Sequence, residues 1–368
     1  MTSTRERPRL TTTADAAITE CLHALMTARA TQASRYGPEF AALWQEAIDS
    51  TQGGKLLRPR LLIGAFDTMS SPSATNAPLR GQAIELAAAL EILHFAFLLH
   101  DDLIDGDLYR RGSLNLIGKL AASTASDTAV STADERRMHW ARSSALLIGD
   151  LMLTIAHQVF ARARIADDER VRLLDLLDAT VTESVAGEYV DVALADGQAA
   201  PTLSLVLDMT RMKTAAYTFE LPLRMAAIIA GATAEAELRL GSIGTHLGIA
   251  FQLQDDLLSA FEPSQIHGKD PFSDFREGKE TALIAYARMT NEWGAIERIL
   301  GAADFTVDSG RTLQHLLESS GARGAVETMI SDHLQLATGL LVAEDRVLPP
   351  ETCQFLLALM SRLEGRHS

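Results

Sequence analysis

The sequence predicts an all-α protein, and three observations support this prediction. Apolar residues recur with helical spacing through most of the 368 residues, and we find no convincing alternation of apolar and polar residues typical of strands. Hydrophobic residues make up 47% of the chain, but aromatic residues only 5%. The apolar content is mainly Ala and Leu, which favour helix over strand. Polar stretches that contain Gly and Pro separate the periodic segments.

The first 78 residues contain a tail, two helical segments and a loop. Residues 1–12 are predicted to be disordered, and Thr13 is a plausible cap for the first helix. The loop at residues 53–60 turns into a helix, because Pro59 fits a first helical turn. A Ser-, Pro- and Ala-rich linker follows at residues 70–78. The apolar faces of the two helices are Ile18, Leu22, Leu25 and Met26, then Phe40, Leu43, Trp44, Ala47 and Ile48.

Residues 85–112 form the stretch around which the chain is organised. A long apolar helix pattern ends in His100, Asp101, Asp102, Asp105 and Asp107. Asp101 and Asp105 are one helical turn apart, and two such carboxylates repel each other unless a cation lies between them. The pattern therefore indicates a Mg²⁺ site, since Mg²⁺ takes a few carboxylates together with waters and phosphates. A solvated acidic helix end is the alternative.

Helical periodicity continues through the rest of the chain. A low-complexity stretch at residues 121–135 predicts a mobile surface loop, and residues 262–278 predict a second polar loop. Interruptions are expected near residues 302–309 and 348–350. The predicted helices between the two loops cover residues 138–164, 168–192, 203–231 and 235–261.

The charge and composition of the chain exclude several classes of protein. Lys and Arg number 33 against 48 Asp and Glu, a net charge of −15, so we expect no nucleic-acid partner. An anionic ligand would need bridging cations. The N-terminus has no hydrophobic signal region, and charged residues interrupt the apolar runs, so no transmembrane segment is predicted. Only Cys21 and Cys353 are present, which fits a reducing cytoplasm.

A second acidic pair closes another apolar helix, at Asp255 and Asp256. Two helices of one bundle can point both acidic ends at the mouth of one cavity. Basic residues cluster near the same motifs, and each taken alone could be an ordinary surface cation. Together, the acidic pairs and cations predict a site for two phosphorylated substrates, one held through metal ions and one directly. These cations are Lys55, Arg58, Arg110, Arg111, Lys213, Lys269 and Lys279.

As a set, these motifs resemble the trans-isoprenyl diphosphate synthases (polyprenyl synthetases), most closely the geranylgeranyl and farnesyl diphosphate synthases. The resemblance implies a single-domain helical bundle at residues 13–368 around a deep central cavity, and a homodimer. It also implies head-to-tail condensation of an allylic diphosphate with isopentenyl diphosphate. The matching segments are GGKLLRPR at 53–60, His94, LLHDDLID at 98–105, RRG at 110–112, GD at 149–150, KT at 213–214, FQLQDD at 251–256 and GKDPFSDFREGKET at 268–281.

The resemblance also implies a role for each matching residue. Three Mg²⁺ ions would be bound by Asp101, Asp105 and Asp255, with Asp102 and Asp256 in support. Thr214 and Gln252 would steady the allylic cation through their oxygen dipoles. The contacts to the allylic diphosphate would come from Arg110, Lys213, Lys269 and Lys279, and those to isopentenyl diphosphate from Lys55, Arg58, His94 and Arg111.

Two positions depart from the family pattern. Ser259 stands where the second acidic motif often has Asp, and Glu188 follows Gly187 where Gln is common. We expect weaker metal binding from the first departure at most, and we expect Ser259→Asp to be tolerated.

Product length is expected to depend on Ala96 and Phe97, which precede Asp101 by about one helical turn, roughly 6–8 Å along the axis. In the family, bulk at these positions forms the floor of the pocket. One small and one large residue favour a C20 product, geranylgeranyl diphosphate, with C15 or longer products as alternatives. Ala96→Phe would then shorten the product. Alternatively, Phe97 packs into a neighbouring helix and another residue forms the floor.

Two other functions use part of the same residue set. A class I terpene cyclase also ionises an allylic diphosphate with Mg²⁺, but it needs no second diphosphate site such as Lys55, Arg58 and Arg111. A regulatory subunit of a heteromeric synthase could lose its acidic residues freely, whereas here only the position of Ser259 departs.

Overall fold

The prediction of an all-α fold is confirmed by a computed structural model, which describes residues 12–51, 54–70, 77–110, 112–123, 132–261 and 272–364. Two short strands, β1 (Tyr109–Arg110) and β2 (Ser113–Leu114), form an antiparallel pair directly after the first acidic motif. Among the described residues, one hydrophobic cluster extends from Ile18 to Met360. A single domain at residues 13–368 stays a prediction. Residues 1–11 of the predicted tail and residues 71–76 of the predicted linker lie outside the described residues, whereas Thr12 already belongs to the first helix.

The helices follow the chain order and agree closely with the periodic segments. Those before the hairpin are α1 (Thr12–Ala33), α2 (Pro38–Ser50), α3 (Leu57–Met69) and α4 (Ala77–Asp105). Those in the middle are α5 (Leu116–Ser123), α6 (Thr132–Ala161), α7 (Asp167–Ala195), α8 (Leu203–Thr210), α9 (Leu221–Ile229) and α10 (Ala234–Phe261). The last are α11 (Ser273–Glu277), α12 (Ala282–Ala287), α13 (Trp293–Ile296), α14 (Val307–Ser319), α15 (Ala322–Leu341) and α16 (Pro350–Glu364).

Three sequence predictions differ from the structure. The stretch 121–135 is helical at both ends, because α5 runs to Ser123 and α6 begins at Thr132. The polar segment 262–278 contains the short helix α11, while residues 262–271 lie outside the described part. The predicted helix at 203–231 is interrupted by a π-helical segment, Arg211–Glu220, between α8 and α9. The residue types and the apolar spacing of this segment do not distinguish a π-helix from an α-helix. The sequence therefore could not reveal the π-helical segment.

Helix α4 is the central element of the fold. It packs against α6, α3 and α1, and its apolar middle is buried almost all round. Gly106 ends the helix with φ of 75°, a left-handed conformation that glycine adopts without strain. This termination turns the chain into the β1–β2 hairpin, so Arg110 returns towards the aspartates that close the helix.

Helix α10 carries the second acidic motif and packs tightly against the π-helical segment. A Cβ at Gly248 would lie 2.4 Å from the side chain of Ala215, and one at Gly244 would lie 2.7 Å from the Glu220 backbone. Side chains at these two glycines would push the helices apart. The close approach places the end of α10 beside the residues of the π-helical segment.

Two helices satisfy the length and composition of a membrane span, namely Ala77–Asp105 and Asp134–Ala161. In the first, 67% of the most apolar window is buried inside the bundle, and in the second 50%. Core helices of globular proteins have the same apolar length. The absence of a transmembrane segment therefore stays a prediction.

Candidate active site

The ends of α4 and α10 open into one cavity of about 2040 Å³. Residues from α3, α7, the π-helical segment and the region after α11 complete its wall. The structure therefore brings together most of the predicted site residues, which are far apart in the sequence. Those that line the cavity are Lys55, Arg58, His94, Phe97, Asp101, Arg110, Lys213, Thr214, Gln252, Asp255, Asp256 and Lys279. Arg111 and Lys269 lie outside the described residues.

Separate cations contact Asp101 and Asp105, the aspartates one helical turn apart in the first acidic motif. Asp101 accepts one hydrogen bond from Arg110 at 3.0 Å and lies 3.1 Å from the Lys213 ammonium. Asp105 accepts a hydrogen bond from Lys279 at 3.0 Å. Burial alone would raise the pKa of Asp101, but Lys213 and Arg110 hold it below its ordinary value. The repulsion expected between the carboxylates is thus compensated by lysine and arginine in this structure.

Asp102 is buried and shares Arg110 with Asp101. Arg110 donates to its carboxylate from Nε at 2.9 Å and also from a terminal nitrogen. Burial raises the pKa of Asp102, and Arg110 only partly offsets this effect. Asp102 therefore positions Arg110, a role that the motif alone did not predict.

Lys213 is held by two further carboxylates, both on α7. Its ammonium donates to Asp191 at 2.6 Å and lies 2.9 Å from Glu188. A Cβ at Gly187 would lie 2.4 Å from the Lys213 backbone nitrogen, so glycine is needed where α7 touches the π-helical segment. Sequence reasoning noticed Glu188 as a departure but missed Asp191, since a single Asp on a helix face carries no local signal.

The second acidic motif faces the cavity from α10. The Gln252 amide donates to Asp256 at 2.8 Å, so its nitrogen binds the carboxylate while its oxygen remains an acceptor. Ser259 is only 7% exposed and is not part of the cavity wall. An aspartate there would bury a carboxylate, which argues against the expectation that Ser259→Asp is tolerated.

The donor set fits Mg²⁺. Within the described ranges, no group of three or more His, Cys, Asp or Glu side chains is arranged to hold a metal ion by itself. Carboxylates from α4 and α10 nevertheless face the same cavity. Mg²⁺ is commonly bound by one or two carboxylates and completes its shell with water and phosphate oxygens, so an open acidic rim suits it.

A second cationic group lies where α3 begins. Arg58 donates to the Thr218 hydroxyl at 2.7 Å, and its guanidinium lies 4.4 Å from the centre of the Tyr217 ring. Leu56 has φ of 50°, an unusual conformation for this residue type, at the turn that leads into α3. Tyr217 was missed by sequence reasoning, although it follows Lys213 by one turn of the same segment.

Phe97 and Ala96 lie in different environments. Phe97 lines the cavity and packs edge-on against Tyr217, with ring centres 5.0 Å apart. Ala96 is 0% exposed and is not part of the wall. Bulk at position 96 would meet packed neighbours, whereas bulk at position 97 faces the cavity. The joint role of Ala96 and Phe97 in setting product length stays a prediction, and the geometry favours Phe97.

Comparisons with known proteins agree with the motifs. Residues 41–314 match the family model described as polyprenyl synthetase. A geranylgeranyl diphosphate synthase of Methanosarcina mazei is 28% identical over 324 residues, which cover 87% of this chain and 86% of that protein. A geranylfarnesyl diphosphate synthase of Aeropyrum pernix is 29% identical over 271 residues, or 70% of this chain and 77% of that protein.

A comparison with solved structures leads to the same kind of enzyme. A geranylgeranyl pyrophosphate synthase from Corynebacterium glutamicum, solved in complex with isoprenyl diphosphate and magnesium, aligns with a TM-score of 0.86 at 26% identity. The alignment covers 96% of this chain and 98% of that one. Motifs, fold and family model thus agree over most of the sequence, and the chain belongs to the polyprenyl synthetase family.

Proposed function

We propose that this protein is a Mg²⁺-dependent trans-prenyltransferase that condenses isopentenyl diphosphate with an allylic diphosphate to give geranylgeranyl diphosphate. The observation that carries the proposal is the cavity where the acidic ends of α4 and α10 meet Arg110, Lys213 and Lys279. The names of the relatives from Methanosarcina mazei and Corynebacterium glutamicum support the C20 product.

The allylic diphosphate is held at the acidic rim. Asp101, Asp105 and Asp255 would bind three Mg²⁺ ions, with Asp256 in support and Asp102 acting through Arg110. The ions would supply positive charge that stabilises the departing diphosphate. Arg110, Lys213, Lys269 and Lys279 would add direct contacts to its oxygens, as Arg forks and Lys point charges do.

The chain's own residues then protect and orient the reacting carbons. Apolar side chains such as Phe97 and Phe251 line the cavity and exclude water from the allylic cation. The oxygens of Thr214 and Gln252 would stabilise that cation by their dipoles. Isopentenyl diphosphate would be held by Lys55, Arg58, His94 and Arg111, and holding both partners removes much of the entropic barrier. The released diphosphate would accept the proton that the condensed carbocation loses when the new double bond forms.

Product analysis tests this function. Purified protein should convert dimethylallyl, geranyl or farnesyl diphosphate with isopentenyl diphosphate into geranylgeranyl diphosphate when Mg²⁺ is present, and EDTA should abolish turnover. Full activity in EDTA would contradict the mechanism. Hydrocarbon formed from geranylgeranyl diphosphate alone would identify a terpene cyclase instead. A protein that is inactive alone but activates a partner synthase would be a regulatory subunit.

We expect Arg58→Ala to raise the KM for isopentenyl diphosphate at least ~10-fold, because a charge-assisted hydrogen bond contributes roughly 1.5–3 kcal/mol. The KM for the allylic substrate should change much less, since Arg58 contacts Tyr217 and Thr218, whereas Arg110, Lys213 and Lys279 are the cations that contact Asp101 and Asp105. Steady-state kinetics with each substrate varied in turn measures both. Arg80→Ala is the matched control, because Arg80 pairs with Asp67 outside the cavity. Equal effects on both substrates would refute the assignment.

We expect Phe97→Ala to shift products beyond C20, because it removes an aromatic wall from the cavity. Each additional buried CH₂ of the tail contributes about 0.8 kcal/mol, so extra space favours elongation. Chromatography of the products measures their length. Phe95→Ala is the matched control, since Phe95 lies on the same helix but is not part of the cavity wall. An unchanged distribution in Phe97→Ala would remove Phe97 as a determinant of length.

A homodimer in the cytoplasm is part of the same proposal. Trp140, Leu147 and Leu151 lie on one face of α6 and are 43%, 56% and 37% exposed. An exposed apolar stripe of this kind suits contact with a second copy. Cys21 and Cys353 are both unpaired, which suits a reducing compartment.

A further inference from the structure

Lys213 sits in a cage of three carboxylates. Its ammonium lies 3.1 Å from Asp101, 2.9 Å from Glu188 and 2.6 Å from Asp191. A lysine ammonium has three donors, so these carboxylates can take all of them. The close backbone contact at Gly187 fixes α7 against the π-helical segment and holds the cage together. In this arrangement Lys213 has no N–H left for a phosphate oxygen.

The three carboxylates have different relations to the cavity chemistry. Asp101 belongs to the acidic motif proposed to bind metal ions, whereas Glu188 and Asp191 lie on α7, apart from both acidic motifs. A cation bound at Asp101 would compete with Lys213 for that carboxylate. One donor of the ammonium would then become available, while the α7 carboxylates still hold the lysine.

Glu188 adds a negative charge, although a neutral acceptor would be enough to bind Lys213. One oxygen, Oε2, faces the ammonium, but Oε1 is buried without a hydrogen-bond partner among the described residues. Burial raises the pKa of Glu188, and the nearby Asp101 and Asp191 raise it further against the opposing effect of Lys213. A glutamine has the same shape and could still accept from Lys213. What the glutamate adds is a second negative charge from α7 beside the phosphate-binding cations.

We propose that Glu188 is a positioning residue that withholds Lys213 from metal-free diphosphate, so that the allylic site accepts diphosphate only together with a divalent cation. This inference rests on the proposed function, because it assigns the cavity rim to a diphosphate. Without metal, a diphosphate meets a lysine saturated by three carboxylates and the excess negative charge around it. With metal at Asp101, both obstacles are reduced.

Titration calorimetry with inorganic diphosphate tests the inference without turnover. The wild-type protein should bind diphosphate in Mg²⁺ and at least ~10-fold more weakly in EDTA. Glu188→Gln should gain roughly 10-fold in metal-free affinity, as expected for removing one negative charge a few ångströms from an anion in a partly buried site. Glu188→Ala removes both the charge and the acceptor oxygens, and it should show the same gain. Glu188→Asp retains the charge and should behave as wild type.

Glu183→Gln is the matched control. Glu183 lies on the same helix and pairs with Arg211 of the same π-helical segment, but neither residue lines the cavity. The Glu183→Gln variant should bind diphosphate in EDTA with the same affinity as the wild-type protein. An equal gain in Glu183→Gln, or no gain in the two neutral Glu188 variants, would overturn the inference. Failure of the wild-type protein to bind diphosphate even with Mg²⁺ would instead refute the proposed function.

Discussion

Asp101→Asn should lower turnover at least ~10²-fold, comparable with removing one main electrostatic stabiliser of a developing charge. Asp101 is the residue at which the acidic motif and two cavity cations meet, since both Arg110 and Lys213 contact it. The substitution keeps the shape but removes the charge that a divalent cation needs. Steady-state kcat at saturating substrates and Mg²⁺ measures the loss, and the required Mg²⁺ concentration should also rise.

Asp67→Asn is the control for this substitution. Asp67 is also an aspartate that accepts from an arginine, Arg80 at 2.8 Å, but the pair is exposed and lies outside the cavity. Exposed pairs contribute about 0–1 kcal/mol, so this variant should retain wild-type turnover. An Asp101→Asn variant with half of the wild-type kcat would show that the first acidic motif does not hold the essential metal.

Lys213→Met should destabilise the protein and reduce its turnover about 10²-fold. Removing one partner of a largely buried ion pair costs roughly 3–5 kcal/mol. Here the loss leaves Asp101, Glu188 and Asp191 facing one another without their shared cation. The loss of a direct contact to the diphosphate accounts for the kinetic effect. Chemical denaturation measures the free energy of unfolding, and product formation measures kcat.

The stability deficit of Lys213→Met should shrink as the pH falls. Burial already raises the pKa of Glu188 while Lys213 opposes this effect, so without the lysine the folded-state pKa rises further. A carboxyl with a raised folded pKa stabilises the fold below its unfolded pKa and loses this contribution as the pH rises through the folded value. The difference from wild type should therefore be larger at about pH 8 than at about pH 5.

Arg211→Met provides the comparison for this variant. Arg211 lies on the same π-helical segment and pairs with one carboxylate, Glu183, outside the cavity. It should lose less stability and keep its turnover. A Lys213→Met variant as stable as wild type at every pH would show that the three carboxylates relax apart at no cost.

The sequence by itself determined the helices and the chemistry at their ends. The apolar period located α4 and α10, and the aspartates that follow each apolar run are local features of the chain. The left-handed glycine after Asp105 and Pro59 in the first turn of α3 follow from backbone preferences of single residues. Such signals depend on neighbours within one or two turns, so they can be read without knowing the fold.

Only the tertiary structure decided which of these residues face the cavity and what they contact. A helical period shows that Phe97 and Asp101 share a face, but not how α4 is rotated against its neighbours. The sequence therefore could not show that Phe97 lines the cavity while Ala96 is fully buried. Asp191 and Glu188 meet Lys213 only because Gly187 lets two backbones touch. These contacts join elements distant in sequence, and their geometry depends on the packing of the whole bundle, which no local pattern encodes.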